Sequence, residues 1–406
     1  MKTPVTIYVV HHPECKEAKE LASRLFHWFR LSSLSGESSG GAAGLPVYFR
    51  RQLAKKEFVP KINFDHAGLN VVILLVDHRM VAQPEWLKAV VDLASQIAEA
   101  RKTGDGDRYV QLLPVALHES FYRTGPLYQE FNPIRLLDLT PAQQEAVLRR
   151  SATESIARVL RADDDGNPQP LDVFLSHAKR DGKQIAESLR DGIRQVSQLV
   201  AWYDANDLPY GADWKSPMET AAARGTAAMI ATVTDAYPTR PWCRREAKLA
   251  RTPALLSERR GCRIWHVQPV VAVHRPQSGW ARSIPMLESV PRIGWNTSRP
   301  DSQIARIVDR LVLEVLLTRV HCKVAEELES RDRERGLHLE SCYLTWVPDS
   351  WTLSVVRQAL KRQASRVRRI VYPGYGLTTA EEKELKPVIS GFHPHTELVS
   401  YEEAWQ

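Results

Sequence analysis

The chain has little that would carry it out of an aqueous, reducing compartment. Its longest apolar runs, such as "VVILLV" at 71–76, fall far short of the roughly 20 residues that a bilayer span needs. A transmembrane segment is therefore excluded. The opening "MKTPVTIYVVHHPECKE" holds no apolar stretch of signal-peptide length, because His11 and His12 interrupt it. The sequence thus predicts a cytoplasmic protein with no membrane partner. Five cysteines (Cys15, Cys243, Cys262, Cys322, Cys342) are odd in number and widely scattered, with no CxxC pair. That excludes a disulfide framework and a cysteine-built zinc site, and predicts reduced thiols. Charge of one sign is also scarce: a net +7 over 406 residues suits plain solubility as well as a polyanion, and decides nothing.

What is present is the composition of a globular protein, 43% hydrophobic and 25% charged, in a chain too long for one ordinary core. In the middle, "LDVFLS" (171–176) reads as a buried strand after the turn-prone "DDDGNPQP", and Ile185, Leu189, Ile193 and Val196 then fall on one helical face. "LVAWYD", the loop "ANDLPYGADW", an alanine-rich helix around "METAAARG" and the strand "AAMIATVT" follow. A helix opens at Pro241, where a missing N–H costs nothing, and "WHVQPVVAV" reads as one further strand. Strands alternating with helices predict a parallel sheet covered on both faces.

Residues 1–162 repeat this plan: "VTIYVVHH", "EAKELASRLFHWF", "LPVYFR", "NVVILLVD" and "PEWLKAVVDLA" fall in the same order. Residues 301–330 predict a connecting amphipathic helix, ending at the charged "ESRDRERG". Residues 337–406 alternate on a smaller scale and predict a small, separate α/β domain. Its "YPGYGLTT" is a glycine turn opening a helix, and Arg366, Arg368 and Arg369 are expected to supply positive charge beside it. Such a turn can hold phosphate, but a simple change of direction explains it better.

Four motifs in the middle unit carry chemistry. They are "DVFLSHAKRD", "WYDANDLPYGADW", "GTAAMIATVTDAY" and "WCRRE", in that order. Together they resemble the TIR (Toll/interleukin-1 receptor) domain over 171 to about 298, with the domain bounded at 171–300. The resemblance implies a flavodoxin-like fold, so two tandem TIR-like domains plus the small C-terminal one. The W-x-x-x-E of "WCRRE" is similar to that of NAD-cleaving members, and implies Glu246 as the catalytic carboxylate. It also brings Ser176, His177, Asp204, Asn206 and Trp214 to the nucleotide, with no cofactor, NAD+ being the substrate, and no metal. Lys179 and Arg180 follow the carboxyl end of a strand, where open α/β sheets bind ligands, and either meet the pyrophosphate or stay as solvated loop charges. Trp242 is read as a structural residue with ligand contact as the alternative. In the N-terminal copy Trp86 is followed four residues on by Val90, which implies a degenerate, non-catalytic unit.

The chemistry agrees with one carboxylate. The nicotinamide of NAD+ leaves as a neutral base from a cationic pyridinium, so no general acid is needed. A carboxylate beside the ribose then stabilises the oxocarbenium-like transition state. Residues four apart share a helical face; we expect Trp242 to pack inward and Glu246 to project at a pocket edge. Water and an internal base atom compete for the same ribose carbon, so linear and cyclic products both stay open. The resemblance further implies homo-oligomers through TIR–TIR contacts, an upstream activator protein or ligand, and a role in bacterial immunity. Adaptor-type TIR domains, which only pair with one another, are the rival reading. The basic run "KRQASRVRR" (361–369) lacks interleaved aromatics and reads as a solvated face, not a nucleic-acid groove.

Overall fold

The computed structural model describes residues 3–30, 44–51, 62–103, 109–161, 167–202, 215–256, 263–277, 284–374 and 377–405. The chain divides into two units, Met1–Ile156 and Ala157–Gln406.

In the first unit, strands β1 (Thr3–His11), β2 (Val47–Arg50), β3 (Ala67–Val76), β4 (Tyr109–Ala116) and β5 (Ile134–Arg135) form one sheet in the order β2-β1-β3-β4-β5. Every pairing is parallel. That explains the runs without alternation: β1 and β3 are covered on both faces, so "VVILLV" is buried throughout. The helices are α1 (Lys16–Arg30), α2 (His78–Ala82), α3 (Pro84–Thr103), α4 (Pro126–Glu130) and α5 (Pro141–Leu160). Trp86, Val90, Leu93 and Ile97 of α3 pack on Tyr8, Val10, Val72 and Leu74. Trp28 of α1 donates from its indole to Thr153 of α5, at 2.9 Å.

The second unit holds two sheets. The first has β6 (Asp172–His177), β7 (Val200–Trp202) and β8 (Ala228–Val233), with helices α6 (Lys183–Val196), α7 (Lys215–Thr220) and α8 (Pro241–Arg251) between and after them. The second sheet then begins with β9 (Ala254–Leu255) and β10 (Ile264–His266), before β11 (Val270–His274) and β12 (Arg292–Gly294) return to the first. The order β12-β11-β8-β6-β7 is the same 2-1-3-4-5 connectivity as in the first unit, again all parallel.

The run expected as one strand, "WHVQPVVAV", is therefore two strands in two sheets. Pro269 has no N–H to continue a ladder. Its carbonyl accepts from Met229 N at 2.9 Å, and Gln268 Nε2 donates to Thr226 Oγ1 at 2.6 Å. Those bonds tie the connection to the first sheet, while Trp265 pairs with Leu255 and Leu344 in the second.

The expected connecting helix is α9 (Pro300–Glu334), 35 residues long. Ile304 packs so closely on α6 that a Cβ at Gly192 would lie 2.5 Å from it. Farther along, Ala325 and Leu328 join a core with Ile264, Tyr343 and Val371 of the second sheet. That sheet is completed by β13 (Ser341–Leu344), β14 (Arg369–Tyr372) and β15 (Glu397–Ser400), with helices α10 (Ser350–Leu360), α11 (Thr379–Ile389) and α12 (Tyr401–Trp405). Its order is β15-β14-β13-β10-β9, with only β9 antiparallel. The self-contained domain expected at 337–406 is thus corrected. Two of its five strands come from inside the expected 171–300 domain, and α9 belongs to both cores instead of linking them. The arginines expected beside the glycine turn are also corrected, because they sit where β14 begins and Gly374 where it has ended.

Among the described residues no helix is long and apolar enough to cross a membrane.

Candidate active site at the end of the first strand

In a 2-1-3-4-5 sheet the chain leaves its first strand in one direction and later returns in the other, opening a crevice at the carboxyl end of that strand. In the second unit this end is Ser176 and His177 of β6, in register with Ala231 and Thr232 of β8. Helix α8 follows β8 and brings Trp242 and Glu246 to the same place, one turn apart.

Glu246 is only 3% exposed and Ser176 1%. The Ser176 hydroxyl donates to Glu246 Oε2 at 2.5 Å, and the Tyr237 hydroxyl lies 2.6 Å from the same Ser176 Oγ. Serine has one proton and gives it to the carboxylate, so Tyr237 must be the donor in the second bond. Burial, then the charge of Glu246, hold the Tyr237 phenol well above its ordinary value. It remains a donor throughout the working pH range. Asp181 fixes the loop that carries this tyrosine, accepting from Thr234 Oγ1 at 2.6 Å and from Ala236 N at 2.9 Å.

The expected division between indole and carboxylate is reversed. Trp242 is half-buried against the core, with the Arg245 guanidinium 5.7 Å from its ring centroid, while Glu246 lies inside. A buried carboxylate is tolerated only with donors, and Ser176 supplies one. The basic residues of α8 face elsewhere. Arg245 pairs with Glu219 at 2.7 Å, Arg251 with Asp349 at 3.3 Å, and Arg244 and Lys248 are exposed. Cys243 is no nucleophile here: burial, then Glu246, push its thiol up to about 12, and it donates to His177 O at 3.5 Å.

Of the other expected site residues, His177 is buried at the strand end beside Ser176, and Lys179 and Arg180 are exposed on the loop that follows. Asp204, Asn206 and Trp214 lie outside the described residues. Tyr237 was missed. Its signal is an aromatic in "DAYPTR", between a strand and the proline that opens the carboxylate's helix. Among the described residues no cluster of three or more His, Cys, Asp or Glu is placed to hold a metal ion.

In the first unit β1 ends at His11, next to His12; both are buried, and the His12 ring centroid is 5.4 Å from that of Trp86. Val90 stands one turn beyond Trp86 in the apolar core, with no carboxylate at that position.

The second unit thus contains a flavodoxin-like α/β domain with an acidic residue seated at its switch point. Residues 173–290 match the TIR domain family, and this stretch of the chain is a TIR domain. No curated protein and no solved structure matches the chain.

Proposed function

We propose that the TIR domain is an NAD+ glycohydrolase that cleaves the nicotinamide–ribose bond, with Glu246 as the catalytic carboxylate. The observation that supports this most is the placement of Glu246. It lies at the carboxyl end of β6 on the helix that carries Trp242, oriented by a serine that is itself held by a tyrosine. A carboxylate fixed in advance needs no reorganisation when the ribose becomes cationic. His177, Lys179 and Arg180 border the same strand end, where a pyrophosphate would lie. The first unit, with the same strand order but Val90 in place of an acid, is in this reading a degenerate TIR-like copy. Assembly through TIR–TIR contacts, and a role in bacterial immune or anti-phage defence in the cytoplasm, complete the proposal.

The test is to incubate the full chain with NAD+ and follow free nicotinamide by chromatography. Glu246→Ala should lower the rate by roughly 10²- to 10³-fold or more, the loss typical of a preorganised electrostatic group. Resolving the second product separates hydrolysis from cyclisation. Release that is equal in both proteins would remove Glu246 from the mechanism.

One observation favours a second reading, a non-catalytic TIR scaffold. The Glu246 carboxylate is buried and already engaged by Ser176, as a structural carboxylate would be. In that case no nicotinamide is released at any protein concentration, and self-association measured by sedimentation persists in Glu246→Ala.

A further inference from the structure

Arg263 stands immediately before β10, and its carbonyl accepts from Tyr343 N at 3.0 Å. The residue is 5% exposed, yet among the described residues nothing accepts a hydrogen bond from its buried Nη1. A guanidinium cannot shed its charge as a buried lysine can. Burial is the main influence acting against its charged form, and Arg366 adds repulsion. Two other buried or half-buried guanidiniums of this unit are paired: Arg251 has Asp349 and Ser289, and Arg369 has Asp332 at 3.1 Å.

The two acids of this edge are paired with other residues. Asp332 Oδ2 already accepts from Tyr343, Ser341 and Arg369. Glu340 lies 3.7 Å from Arg368. Register places Arg263, ahead of β10, and Arg366 and Arg368, ahead of β14, at the same amino-terminal edge of the second sheet, on either side of the start of β13. Lys361 and Arg362 continue the positive surface, exposed on the short helical turn before β14. The run 361–369 read by itself is a solvated face. Arg263, about a hundred residues earlier in the chain, changes that reading, because a desolvated cation with no counter-ion among the described residues is costly unless an anion completes it.

From this geometry we propose that the edge formed by Arg263, Arg366 and Arg368 binds a phosphate-bearing ligand. A planar guanidinium matches phosphate oxygens two at a time, and several converging cations suit a multiply charged group better than a single carboxylate. The phosphate belongs either to a small nucleotide or to a nucleic-acid backbone. The site is on a different sheet from Glu246 and does not depend on the NAD+ reading.

Melting of the full chain with and without inorganic pyrophosphate tests the proposal. On a background lacking the cations at the end of β6, Lys179→Ala with Arg180→Ala, pyrophosphate should raise the Tm of the chain that keeps Arg263 but not of the chain carrying Arg263→Gln. Without anion Arg263→Gln should melt above wild type, because an uncompensated charge has been removed; a merely structural arginine would give the opposite sign. Calorimetric titration should show pyrophosphate affinity falling at least about tenfold in Arg263→Gln, and less in Arg263→Lys, which keeps the charge but loses the fork. Binding of a labelled single-stranded oligonucleotide between about 50 and 200 mM salt identifies the source. A steep slope spanning several phosphates indicates nucleic acid, and a shallow one a small ligand. The proposal is overturned if Arg263→Gln melts below wild type without anion, or if pyrophosphate protects both proteins equally.

Discussion

Ser176 links two groups that would otherwise both be misplaced in a core. It gives its proton to Glu246 and receives one from Tyr237, so its removal takes a hydrogen bond from a buried carboxylate and from a buried phenol together. Ser176→Ala should therefore cost about 2–3 kcal/mol of stability, and Tyr237→Phe, which leaves the carboxylate its donor, about 1 kcal/mol. Urea unfolding of the two variants gives this order directly. If Glu246 is catalytic, the pH–rate profile of nicotinamide release should change more in Ser176→Ala, which removes a hydrogen-bond donor from the carboxylate, than in Tyr237→Phe, which keeps it. Equal profiles at reduced stability would leave the pair a purely structural role. That Trp242 and Glu246 sit one turn apart on one helix was legible in the sequence, since such spacing is local; which of the two lies deeper was not. The tyrosine was not, because its bond to Ser176 joins residues 61 apart and no periodicity records it.

At the scale of elements, α9 and α6 touch at one close point. Alanine at Gly192 gives a helix interior roughly 1 kcal/mol, but its Cβ would meet Ile304 Cδ1 at 2.5 Å and Cγ2 at 2.9 Å. Overpacking of that kind costs about 1–3 kcal/mol, so Gly192→Ala should be net destabilising by equilibrium unfolding. The same helix carries a pH response. His321 donates from Nδ1 to Thr345 O at 3.1 Å, and burial pulls its imidazole down to about 4. The folded chain binds this proton less readily than the unfolded one, whose histidine titrates near its ordinary value of 6.5. The stability it confers is whole above about pH 6.5 and is lost as the pH falls from there towards 4. The half-buried ring limits the loss to the order of 2 kcal/mol. Urea midpoints between pH 7.5 and 4.5 should fall less steeply in His321→Gln than in wild type. Strands β1, β2, β3, β6, β7 and β8 were readable from their apolar runs, but their partners were not, and β4 and the short β5, β9 and β12 were not read. Nothing local distinguishes "IWH" from "VVAVH", and only Pro269 between them marks the change of sheet.

At the scale of the molecule, the TIR domain and the C-terminal sheet of the second unit are interleaved. Strands β9 and β10 leave the TIR domain's chain for the other sheet, α9 lies in both cores, and Asp349 joins them by capping α10 while pairing with Arg251 of α8. A chain ending at residue 336 would leave β10 without β13 and half of α9 without a core. It should be recovered insoluble or markedly less stable in thermal melts than the full chain, even though it retains every residue of the TIR match. Length calls for more than one core, but hydrophobic periodicity cannot report that two runs near each other in sequence belong to different sheets.

The same interleaving orders events during synthesis. When Gly294 has been joined, all five strands of the TIR sheet have been made, yet Trp265 must wait for Leu344, nearly eighty residues later, to gain its neighbour. Until the ribosome has delivered that stretch, the helix bearing Glu246 runs into an unfinished sheet. The TIR domain therefore cannot complete its packing until Leu344 has been made.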